Sequence, residues 1–129
     1  MNESLEKKIF LICPVRGVTD EEKEFLNNYL INLESTGYRV HYPPRDTNQD
    51  DPIGINICSQ NRDAIKKADE IHIYWNSKSE GSLFDFGMAF MAEKPIRLIN
   101  PEILQTDKKS FQNVLIALNK RYNLYFLPK

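Results

Sequence analysis

Short apolar runs alternate with amphipathic segments along this chain. Residues 8–13, KIFLIC, are β-branched and aromatic and read as a buried strand. Pro14-Val15-Arg16-Gly17 breaks that run. Thr19-Asp20-Glu21-Glu22 has the form of a capping box, with Thr19 as N-cap and Glu22 reaching back. Phe25, Leu26, Tyr29, Leu30 and Leu33 then share one helical face, and Gly37 ends the helix. Tyr38–Tyr42 alternates as a second strand, and a polar, proline-bounded loop, PPRDTNQDDP, fills 43–52. A second helix is predicted over 53–68, with Ile53, Ile57, Ala64, Ile65 and Ala68 facing inward, and a third strand over 70–75, EIHIYW. The stretch SEGSLFDFGMAFMAEKP (79–95) supplies a third helix in which Leu83, Phe84, Phe86, Met88, Ala89, Phe90, Met91 and Ala92 read as buried. Residues 95–99 form a fourth strand and 109–121 a last helix; YNLYFLP, 122–128, is either a fifth strand or a docking tail.

The order β-α-β-α-β-α-β-α predicts one α/β domain over 1–129, a doubly wound, flavodoxin- or Rossmann-like fold. Its parallel sheet has four to five strands, with helices on both faces. Such sheets bind ligands beyond the carboxyl ends of their strands. The loops 14–18, 43–52 and 76–82 all reach that edge, which predicts Arg16, Arg45, Asp46, Ser79, Ser82 and Asp85 around one mouth.

Composition narrows the partners. The chain has 129 residues, 27% charged, with a formal net charge of -1. Nothing in that balance suggests a surface built to grip a nucleic-acid polymer or anionic lipid, and neither is expected as a partner. No apolar run approaches the ~20 residues that span a bilayer. The N-terminus MNESLEKK lacks a signal-peptide core, and Cys13 and Cys58 have no motif spacing, so free buried thiols in the cytoplasm are expected. The two histidines, His41 and His72, are far apart and have no carboxylate at helical spacing. No metal and no cofactor is therefore expected.

Asp85 is the chemically pointed residue, a carboxylate inside an apolar run where its charge is costly to desolvate. Two readings stay open here. Ser82-x-x-Asp85 resembles a capping pair, which would make the carboxylate structural. Alternatively, Asp85 sits at the floor of a pocket as a nucleophile or as a stabiliser of a sugar cation. The turn Ser79-Glu80-Gly81-Ser82 offers amides to an anion, and Arg16 can add a charged fork. Neither a G-x-x-x-x-G-K-[ST] loop nor a G-x-G-x-x-G fingerprint occurs. Trp75 closes a strand as core or as a stacking surface for a base. His72 is expected to satisfy a backbone partner, and His41 to face the surface. Arg45 and Asp46 read either as ligands for a base or ribose hydroxyl or as a solvated loop.

ICPVRG (12–17), NRDAIKKADEIHIYW (61–75) and SEGSLFDFGMAF (79–90) together resemble the signature segments of the nucleoside 2-deoxyribosyltransferase superfamily, in layout most like its 2′-deoxynucleoside 5′-phosphate N-hydrolase branch. The I-R-G turn is matched by Val15-Arg16-Gly17, the alanine-aspartate pair by Ala68-Asp69, and S-x-G-x-x-Y-E-x-G by Ser79, Gly81, Phe84, Asp85 and Gly87. The resemblance implies a small five-stranded parallel sheet and cleavage or exchange of an N-glycosidic bond. It places the nucleophile on Asp85, one methylene shorter than the family's glutamate, and the second acid on Asn61, which cannot ionise; Asp46 is the candidate replacement. The candidate binding set is Pro14, Val15, Arg16, Gly17, Arg45, Ser79, Gly81 and Ser82. A small nucleoside or nucleotide as partner, and a homodimer or larger homo-oligomer, are implied as well. The competing expectations are a nucleotide-binding module without chemistry and an assembly domain docking through Tyr122, Tyr125, Phe126 and Leu127.

Overall fold

The computed structural model describes residues 6–100 and 102–126. Its strands are β1 (Lys8–Ile12), β2 (Arg39–His41), β3 (Glu70–Ile73) and β4 (Ile96–Leu98). Its helices are α1 (Asp20–Ser35), α2 (Pro43–Asp46), α3 (Ile55–Lys67), α4 (Glu80–Met91) and α5 (Phe111–Tyr125). All strand pairs are parallel and the order is β2-β1-β3-β4, with Ile9 opposite Val40 and Phe10 opposite Ile71. The sheet is thus the doubly wound α/β arrangement that the element order predicts. Its topological switch point lies between β1 and β3, where crossovers leave in opposite directions and open a crevice.

Alternation along β1 divides the core. Phe10 and Ile12 pack with Ile71 and Ile73 beneath Ile65 of α3 and Phe86 and Ala89 of α4. Ile9 and Leu11 pack with Val40 beneath Leu26, Leu30 and Leu33 of α1. The capping box forms: Thr19 Oγ1 accepts the Glu22 amide at 3.1 Å and the Glu22 carboxylate accepts the Thr19 amide at 3.0 Å. Trp75 is core, its ring edge-on to Phe86 and its Nε1–H donating to Gln112.

Several expectations change. The loop 43–52 holds a short helix, α2, because Pro43 and Pro44 suit a first helical turn and Asp46 Oδ2 accepts the Tyr42 amide at 2.8 Å. Ile53 is exposed, because α3 begins only after Gly54, whose φ of 93° makes it the turn into the helix. Asp51 Oδ2 caps that helix by accepting the amides of Asn56 and Ile57. On α4 Ser82, Asp85, Phe86 and Ala89 are buried at helical spacing and the half-buried Met88 packs against the same core; Leu83, Phe84, Phe90, Met91 and Ala92 are exposed, since one helix buries one stripe. Tyr122–Tyr125 complete α5 and form no fifth strand, while Leu127 and Pro128 lie outside the described residues.

The histidines also differ from expectation. His72 is held by side chains: Nε2 lies 2.7 Å from Glu70 Oε1, Nδ1 lies 2.6 Å from the Tyr29 hydroxyl, and Tyr122 O–H donates to Glu70. Despite the opposing effect of burial, these bonds and Lys7 hold the Glu70 carboxyl at about 2. This network starts at the amino end of β3, remote from the crevice. His41 is half-buried, stacked on Phe10 with centroids 5.2 Å apart.

Candidate functional site

Chain turns after β1 and β3 meet at the switch point and wall a cavity of about 390 Å³. From the β1 side come Cys13, Val15 and Arg16; from the β3 side come Lys78, Ser79, Glu80 and Gly81. Ile57, Cys58 and Asn61 of α3 form a third wall, with Pro43 and Gln49 above, and Phe84 and Asp85 of α4 complete the lining.

Asp85 is 7% exposed. It does not cap its own helix, because Ser79 is the N-cap and takes the Ser82 amide at 3.1 Å. Asp85 lies a turn further in, and its Oδ2 accepts a hydrogen bond from Asn61 Nδ2 at 3.3 Å across the α3–α4 contact. Oδ1 accepts none among the described residues. The one fully buried side-chain polar atom without a partner there is Ser82 Oγ, so Asp85 Oδ1 keeps its exposure on the cavity side. Burial pushes the Asp85 carboxyl up to about 7, against the Asn61 hydrogen bond, which favours the ionised form. Burial and the neighbouring Asp85 push the Cys13 thiol up to about 12.

Arg16 is exposed, on a turn that Gly17 closes with a φ of 64°. Ser79 spends its hydroxyl on the Ser82 amide, and the first-turn amides of Glu80 and Gly81 have no intrahelical acceptor. Together with Arg16 and Lys78 they make the entrance side of the cavity favourable to an anion, above a carboxylate on its floor.

Of the residues selected from sequence, the structure gathers Val15, Arg16, Asn61, Ser79, Gly81 and Asp85 around this cavity. Pro14, Gly17 and Ser82 lie beside it without lining it. Arg45 and Asp46 are not at this mouth. Arg45 makes a two-pronged pair with Glu34 at 3.1 Å and donates to Val40 O, and Asp46 caps the α2 turn, so both line a separate groove over β2. Their charges serve the α2 turn and Glu34 of α1, outside the switch-point cavity. Cys13, Cys58, Gln49, Lys78 and Glu80 enter the lining unforeseen. The visible signal was Cys58 and Asn61 three apart on one helical face; for Gln49 no sequence signal existed.

A parallel α/β fold with a carboxylate at the floor of its switch-point cavity is the class that fold and site define. No family model matches the sequence, and no curated protein matches it. Among solved structures, the fold is shared with a 2-deoxyribosyltransferase of Bacillus psychrosaccharolyticus: TM-score 0.64, 20% identity, 86% of this chain and 95% of that one. It is also shared with a 2-deoxyribosyltransferase of Leishmania mexicana: TM-score 0.61, 16% identity, 94% and 99%. A CMP N-glycosidase of Clostridium botulinum aligns with TM-score 0.57 and 22% identity over 88% and 81%. The chain therefore has the nucleoside 2-deoxyribosyltransferase-like fold.

Proposed function

We propose that this protein cleaves or transfers the N-glycosidic bond of a nucleoside 5′-monophosphate or nucleoside, with Asp85 as the acting carboxylate. The observation that carries the reading is the pairing within one cavity of a buried carboxylate, its Oδ1 unbonded, with Arg16, Lys78 and the α4 amino end. The fold's occurrence in an N-glycosidase and two deoxyribosyltransferases supports it. In this mechanism Oδ1 attacks the anomeric carbon as the bond to the base breaks, and the base leaves with the electron pair and takes up a proton. Water then opens the glycosyl ester in hydrolysis, or a second base does so in transfer. The phosphate sits against Arg16 and the amides of Glu80 and Gly81. Asn61 cannot supply a proton as an acid; its amide holds Asp85.

The exposed apolar face of α4, with Leu83, Phe84, Phe90 and Met91, supports assembly as a homo-oligomer. The free cysteines agree with a cytoplasmic setting, and no described helix is long and apolar enough to cross a membrane.

The test is a panel of ribo- and deoxynucleosides and their 5′-monophosphates, with free base followed by chromatography. Base release that disappears in Asp85→Ala while nucleotide binding persists is the expected result. Arg16→Ala should weaken monophosphates selectively; an equal loss for nucleosides would remove the phosphate assignment. Binding without turnover by the unaltered protein would replace this reading with a nucleotide-binding module.

A further inference from the structure

Behind Asp85 runs a chain of side chains that the proposed reaction leaves unexplained. Asn61 Nδ2 donates to Asp85 Oδ2 at 3.3 Å, and Asn61 Oδ1 accepts from Thr47 Oγ1 at 2.7 Å. Thr47 Oγ1 in turn lies 2.8 Å from His41 Nε2. Thr47 is 3% exposed and Asn61 5%, so water does not compete for these bonds. A hydroxyl has one proton. Because Thr47 gives it to Asn61, it can only accept from His41, which fixes the Nε2–H tautomer. Every donor in the chain therefore points toward Asp85.

Each link is independently placed. His41 ends β2 with its ring flat against Phe10, 8° from parallel. Thr47 is set by the α2 turn, its amide donating to Pro43 O at 3.1 Å, and Gln49 ties Pro43 O and Thr47 O together. Asn61 sits mid-helix on α3. The polarity matters because an amide can face a carboxylate with its oxygen or its nitrogen. With Oδ1 occupied by Thr47, only N–H faces Asp85, and an N–H donor favours the ionised form.

We infer that Thr47 and His41 are positioning residues for Asp85, acting through Asn61 to hold one carboxylate oxygen and to keep the group ionisable with the other oxygen in the cavity. The inference rests on the reading of Asp85 as the acting carboxylate, but its physical core, the polarised chain, can be measured without any substrate. The other charged or titratable groups around Asp85 are Cys13 just after β1, Arg16 from the following turn, Cys58 from α3, Lys78 from the turn before α4 and Glu80 at the start of α4. Those around His41 are Lys8, Arg39, Arg45, Asp46 and Lys67. None of the second group lines the Asp85 cavity, and the Thr47 hydroxyl is hydrogen-bonded toward Asp85 only through Asn61.

The experiment titrates the Asp85 carboxyl by carbon NMR in the unaltered protein, Thr47→Val, Thr47→Ser and His41→Phe. Thr47→Val keeps the shape and removes the hydroxyl, freeing the Asn61 amide to turn. The Asp85 midpoint should rise by about one unit, the scale of one lost hydrogen bond to a charged group. Thr47→Ser should restore it, and His41→Phe, which keeps the ring stack, should move it in the same direction by less. With a turned-over nucleotide, kcat at pH 7 should fall ~5-fold in Thr47→Val as the ionised fraction drops. KM should hold and the loss should vanish at high pH. A folded Thr47→Val protein with an unmoved midpoint, or a serine variant that fails to restore it, overturns the relay. Absence of turnover in the unaltered protein with the midpoint shifts intact overturns the enzymatic reading and leaves the relay standing.

Discussion

Replacing Asp85 with asparagine should make the protein more stable at neutral and alkaline pH. The carboxyl is raised from 3.8 to about 7, chiefly by burial. A raised acid contributes stability that is fully present below its ordinary value and lost as pH climbs through the folded one, because the folded state holds the proton more tightly. The shift spans roughly 3 units at about 1.4 kcal/mol each, so the ionised group costs the fold at most about 4 kcal/mol at pH 8. The amide side chain of Asp85→Asn is isosteric with the carboxylate, and its oxygen can still accept from Asn61, so most of that cost should be recovered. A gain of about 2–4 kcal/mol at pH 8 should appear as a rise in Tm on the order of 10 °C, shrinking to nothing near pH 4. Thermal unfolding of both proteins by circular dichroism from pH 4 to pH 8 measures it. A difference that stays constant over this range, or an asparagine variant that is less stable at pH 8, would refute the claim that Asp85 is held ionisable at the expense of the fold. The same variant should be inactive toward nucleotides, the pattern expected where a functional group conflicts with stability.

The remaining expectations concern the network at the other end of the sheet and the cavity thiols. Tyr122→Phe removes a donor from the buried Glu70 carboxylate and should cost about 2 kcal/mol at pH 7. A depressed carboxyl stabilises above its ordinary pKa and loses that contribution as pH falls through about 2, so the deficit should shrink in urea titrations at pH 3; equal deficits would count against it. Iodoacetamide at pH 7.5 should label Cys58 and spare Cys13, which is buried with its thiol pushed up to about 12. Peptide mass spectrometry reads this directly, and a bound nucleoside monophosphate should slow the labelling; labelling indifferent to nucleotide would place the ligand elsewhere.

Much of the architecture was already legible along the chain. Four apolar runs separated by helical periodicity define a parallel sheet, because only crossover helices can join strands of that spacing. The Thr19–Glu22 box was readable because capping is a local interaction between residues three apart. The placement of Arg16, Ser79 and Asp85 at one edge followed from topology, since loops after consecutive parallel strands emerge on the same side.

What only the tertiary structure decided is orientation. Leu83, Phe84, Phe90 and Met91 read as core because an apolar helix does not declare which stripe meets the sheet; packing against α3 and β1 chose Ser82, Asp85, Phe86 and Ala89 instead. Arg45 and Asp46 looked like site residues until a proline-initiated turn rotated them toward Glu34 and the Tyr42 amide. The chain from His41 through Thr47 and Asn61 to Asp85 joins residues 6, 14 and 24 positions apart in sequence. No local pattern encodes such contacts, because hydrogen bonds between elements depend on how far and at what angle those elements pack.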